Sequence, residues 1–162
     1  MSPEPSGEQD FRYGPYLVTA LICERVLEEK DGVKSAIRIV DHLNRTSIGP
    51  EPSSVMEPFD QDLSLFIRLK AGGARGMYRV EVRVVKPSMN PEETPALVVH
   101  PVHFTGPDEG GADLVLRMRA RFDEEGLWWF DVYMNAIRVV RVPLRIMYHP
   151  QIMGPGVLPL GS

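Results

Sequence analysis

A chain of 162 residues has the length of one domain, and an apolar fraction of 43% is too high for a disordered polymer, so a self-sufficient core is expected. A formal net charge of −4 excludes a global attraction to nucleic acid or to anionic membrane. The single cysteine, Cys23, excludes an intrachain disulfide and with it the small stapled secreted scaffolds.

Residues 1–14 are rich in Pro, Gly, Ser and charge and read as a mobile tail. Their acidic start lacks the apolar stretch of a signal peptide. No run approaches the roughly 18 apolar residues of a membrane span, so a cytoplasmic protein without a membrane partner is expected. Tyr16 to Lys30 admits two readings. Pro15 before it and Gly32 after it bracket a helix. Asp31-Gly32 between two apolar runs is the strongest short hairpin signal, and the strand reading is preferred. A two-residue turn would set Glu29 opposite Lys34 and Val26 opposite Ile37. Cys23 lies in A-L-I-C-E, an apolar setting that points to a buried structural thiol rather than a nucleophile.

Leu63, Leu65, Ile67 and Leu69 alternate with Ser64, Phe66, Arg68 and Lys70. The loop A-G-G-A-R-G follows, and then Tyr78, Val80, Val82 and Val84 alternate with Arg79, Glu81 and Arg83. A hairpin is the simplest reading of this pair. Leu97 to Phe104 is a weaker strand whose Pro101 implies an edge or a bulge. In D-L-V-L-R-M-R-A-R-F at 113–122, Leu114, Leu116, Met118, Ala120 and Phe122 fall on one face. Arg117, Arg119 and Arg121 fall on the other with Val115. Trp128, Phe130, Val132 and Met134 alternate with Trp129, Asp131 and Tyr133. Asn135-Ala136 then turns the chain into Ile137–Tyr148, where the pattern breaks near Val140 and implies a bulge, with Pro143 marking an edge. Residues 149–162 read as a Pro/Gly-rich tail or strap, with 150–162 unable to form a regular element.

Seven to eight short strands with polar loops predict an all-β, single-domain antiparallel β-sandwich over 15–148, with a closed β-barrel as the alternative. The segments A-L-I-C-E at 20–24, D-G at 31–32, A-I-R-I-V at 36–40, G-M-Y-R-V-E-V-R-V-V-K-P at 76–87 and G-L-W-W-F-D-V-Y-M-N at 126–135 point further. Together they resemble an uncharacterised bacterial family, a domain of unknown function. Its members open with a small-x-Leu-Cys-acid strand, a glycine turn and a second apolar strand. The resemblance covers about residues 15–148. Asn135-Ala136 stands where that family tends to have a polar-Gly turn, and the connection at 44–60 is longer. The resemblance implies a β-sandwich of unassigned function and carries over no catalytic residue.

No catalytic signature stands out. His100 and His103, three apart on a strand, point to opposite faces and cannot share an ion without a bend. The acids Asp60, Asp62, Asp108, Glu109 and Asp113 match no EF-hand loop and read as solvated turns. G-G-A-R-G lacks the Lys-Ser/Thr of a phosphate loop, and no G-x-S-x-G elbow is present. A non-catalytic protein without cofactor or metal is expected, acting by protein–protein contact or self-association. The expected contact face is Trp129, Tyr133, Arg117, Arg119 and Arg121, with Arg68, Arg79 and Arg83 as neighbours. An exposed edge strand offers a second contact by strand addition. The alternative is a carbohydrate- or nucleotide-binding module with Trp129 as its platform; nucleic acid is not the expected partner.

Overall fold

A computed structural model describes residues 13–153. Nine strands follow in chain order: β1 (Tyr16–Glu28), β2 (Lys34–Ile39), β3 (His42–Gly49), β4 (Phe59–Lys70), β5 (Gly76–Val85), β6 (Val98–Phe104), β7 (Gly111–Phe122), β8 (Gly126–Met134) and β9 (Ile137–Ile152). They form a four-stranded sheet, β2-β1-β4-β7, and a five-stranded sheet, β3-β9-β8-β5-β6. Among the described residues no ladder joins the two sheets, so the fold is a sandwich rather than a closed barrel. No α-helix occurs among the described residues, and no helix is long and apolar enough to cross a membrane.

Alternation builds the core. Leu63, Leu65, Ile67 and Leu69 of β4 are almost fully buried, and they face Val80 and Val82 of β5, Phe130, Val132 and Met134 of β8, and Leu144 and Ile146 of β9. Phe122 meets Trp128 edge-on at 5.0 Å between ring centroids, which closes one end of the core. The Trp128 indole N–H donates to the Glu124 carbonyl at 3.1 Å, so the buried ring leaves no orphan donor.

The Tyr16–Glu28 segment is a strand, as preferred, but its hairpin register differs from the expected one by a residue. Glu28 faces Lys34 and Val26 faces Ala36. The loop holds three residues, not two: the Glu29 N–H donates to the Val33 carbonyl at 2.8 Å and the Gly32 N–H to the Glu29 carbonyl at 2.9 Å. Gly32 takes φ +83°, the left-handed residue that follows the turn in a three-residue hairpin. Val26, three residues past Cys23, packs with Cys23 and Phe66 in a second small cluster. Residues three apart on a flat strand face opposite ways, so β1 departs from a flat strand between Cys23 and Val26.

Four further expectations are corrected. β4 and β5 are not a hairpin: they lie in different sheets, and the Gly-rich loop passes from one sheet to the other at the strand ends, with Ala71 and Ala74 buried. Their apolar rows face each other across the core, which a shared sheet would forbid. β3 is a ninth strand. It has no apolar alternation of its own and is ordered by pairing parallel to β9, from His42–Arg145 to Gly49–Ile152. β9 runs on to Ile152, so His149–Ile152 belong to the domain, where a tail without regular structure was expected. The sheets are therefore antiparallel except at β3–β9.

Other expectations held. β6 is an edge strand bearing Pro101. β9 bulges at Val139, since Tyr133 faces Arg138 while Val132 faces Val140. Pro143 lies where β9 is flanked by β8 alone, because β3 begins opposite Arg145.

Candidate protein-contact surface

The sandwich separates the five expected contact residues. Arg117, Arg119 and Arg121 lie on β7, opposite the apolar row Leu114–Met118 that packs on the core, and so face outward from the four-stranded sheet. Trp129 and Tyr133 lie on β8, opposite the buried row Trp128–Met134, and face outward from the five-stranded sheet. They are two surfaces on opposite sides of the molecule. Arg79 and Arg83, on β5, belong to the second surface; Arg68, on β4, belongs to the first.

The β8 surface pairs its charges internally. Cross-strand register places Arg141, Asp131 and Arg83 in one row, and Arg138, Tyr133 and Glu81 in the next. Asp131 points outward yet is fully buried. Its Oδ1 accepts from Arg141 Nε at 2.7 Å, and its Oδ2 lies 3.6 Å from an Arg138 guanidinium nitrogen without a hydrogen bond. Arg83 donates to Glu81 at 2.7 Å, and Arg79 approaches the same carboxylate at 3.6 Å. The guanidinium of Arg83 sits 4.6 Å from the Tyr133 ring centroid, and that of Arg141 sits 4.6 Å from the Trp129 centroid. Each ring thus carries a guanidinium, and each of those guanidinium groups carries a carboxylate. Trp129 offers no bare stacking platform on the face Arg141 covers.

Arg138 and Arg141 were not singled out by sequence reasoning. Three apart, they would face opposite ways on a regular strand. The bulge at Val139 restores them to one face, and that bulge was legible in the sequence.

The β7 surface is less complete. Arg68 makes a bidentate pair with Asp113 at 2.7 and 2.8 Å, and this holds the Asp113 carboxyl below its ordinary range. Arg119 and Arg121 share the single carboxylate of Asp60, each at 3.6 Å, and both side chains are about two-thirds exposed or more. Arg117 has no ion pair among the described residues. It lies along a groove of about 440 Å³ with Arg25, Arg119, Glu24 and Asp62.

β7 ends its sheet, so one side of its backbone has no strand partner over Gly111–Phe122 among the described residues. β6 ends the other sheet on the same side of the sandwich. Between the two edges opens a cleft of about 220 Å³, lined by Ile67, Val80, Val82, Val98, Leu114 and Leu116, with His100 and Asp113 at its rim.

Cys23 is fully buried, its thiol pushed up by burial, with weak contacts to the Arg25 and Ser64 carbonyls. Asp60, Asp108 and Asp113 each face an arginine rather than one another. His100 lines the cleft while His103, across from Met77, faces out. Among the described residues no three His, Cys, Asp or Glu side chains are placed to hold a metal ion. Compared with known proteins, the chain matches no family model and no curated protein.

Proposed function

We propose that this protein is a non-catalytic contact module that binds another protein through the β7 side of its sandwich. One observation carries the reading: the long edge of β7 bears three exposed arginines, two of which share one loosely held carboxylate while the third has no ion pair among the described residues. On the opposite surface every comparable guanidinium near an aromatic is already matched to an acid. Surface cations on long stems are common and often idle. Here they coincide with unpaired backbone and an apolar cleft, the three ingredients of a protein contact. A photo-crosslinking scan of both surfaces in cells of the native host tests it. Adducts are expected from β7 positions and not from β8; the reverse distribution overturns the reading.

A further inference from the structure

We infer that the partner enters as an added β-strand on the free edge of β7, an extended segment whose residues alternate between acidic and apolar. This rests on the reading of β7 as the contact surface and specifies its chemistry.

Among the described residues four strand edges are free in the two sheets, at β2, β7, β3 and β6. They differ as templates. β2 is six residues long and contains Arg38 at φ +53°, which interrupts extended geometry. β3 has polar side chains on both faces and no apolar row to extend. β6 is interrupted by Pro101, which lacks an N–H. β7 runs for twelve residues without proline, paired regularly along its whole length with β4. Edges of this kind are templates for a further strand.

A strand laid beside β7 has its side-chain faces dictated by the pleat. Its inward residues extend the row Leu114, Leu116 and Met118 and cover the cleft that opens toward Val98. That row is only half-buried, so apolar side chains are required there. Its outward residues stand next to Arg117, Arg119 and Arg121, at the cross-strand separation of about 5 Å where opposite charges attract and like charges repel. Asp60 pairs with two of these arginines and Arg117 has no ion pair among the described residues, while Asp62 stands opposite Arg119 on β4 without an ion pair to it. Three arginines against these two carboxylates leave room for a further acid beside Arg117. The same rule disfavours a second copy in the registers that set arginine against arginine.

The probe is a fluorescein-labelled heptapeptide of alternating Glu and Val, titrated against the full chain at low salt and followed by anisotropy and by backbone amide shifts. Expected are binding, shifts concentrated in residues 111–122, and weakening by about tenfold in the Arg117→Glu, Arg119→Glu double variant, whose fold is checked by circular dichroism. A Lys/Val peptide is expected to bind that variant instead. N-methylating alternate amides is expected to abolish binding in one phase and spare it in the other, since an added strand uses one of its edges. Equal binding of a Glu-Glu-Glu-Glu-Val-Val-Val peptide, or indifference to N-methylation, overturns strand addition in favour of a diffuse electrostatic patch. A dimer in light scattering with its interface on β7 overturns the peptide occupant in favour of a second copy. Failure of the alternating peptide while β7 crosslinks persist overturns this inference alone; loss of the crosslinks overturns the contact reading itself.

Discussion

Asp131 shows how far a single residue was legible. Alternation placed it on the outer face of a strand, and that is where its backbone sets it. Alternation did not reveal that the residue is fully buried there, between Trp129 and Tyr133 of its own strand, whose rings carry arginines from the neighbouring strands. Its partners come from a hairpin register that no single-strand pattern encodes. The asymmetry of this site makes a prediction. Arg141→Met removes the guanidinium but keeps an apolar stem over a carboxylate with no access to water. Asp131→Asn leaves arginines that still reach solvent. The first is expected to lower stability by about 3–5 kcal/mol and the second by about 1–3 kcal/mol, measured by urea unfolding at pH 7. The Arg68–Asp113 pair is more exposed, and its contribution is correspondingly smaller. Because Arg68 depresses the Asp113 carboxyl in the fold, the stabilisation is present above the ordinary carboxylate pKa of about 3.9 and is lost as pH falls through the folded value. Asp113→Asn is therefore expected to cost about 0.5–1 kcal/mol at neutral pH, with wild type and variant converging in acid.

The apolar rows that alternate strictly, in β4, β5, β7 and β8, were read correctly, because burial of one face forces period two. β3 was missed because its order comes from β9 and not from its own side chains. The β1–β2 register was missed because Asp-Gly serves both two- and three-residue loops, and only the closing hydrogen bonds distinguish them. The β8–β9 hairpin offers a test at this scale. Asn135 and Ala136 are its two turn residues, at φ +46° and +69°, and the Asn135 side chain accepts the Arg79 N–H at 2.8 Å. Both central residues of such a turn need positive φ, which an alanine tolerates poorly. Ala136→Gly is expected to stabilise the protein by about 0.5–1 kcal/mol, read as a raised thermal midpoint.

At the scale of the molecule, strand composition identified a sandwich, but not which strands share a sheet. Grouping Arg117, Arg119 and Arg121 with Trp129 and Tyr133 required β7 and β8 to be neighbours in one sheet. They are consecutive in sequence, and the Asp123–Glu125 connection instead carries the chain from one sheet to the other. That crossing puts the self-matched lattice on one side and the under-compensated arginines on the other. It leaves β7 as the surface on which charge, free backbone and apolar cleft meet. The decisive measurement is the ratio of photo-crosslinking yields in the native host from a photoreactive residue at Val115 and one at Tyr133, with both variants folded to wild-type stability. A large excess of partner adducts at Val115 is predicted. Equal yields, or an excess at Tyr133, would contradict the assignment of β7 as the contact surface.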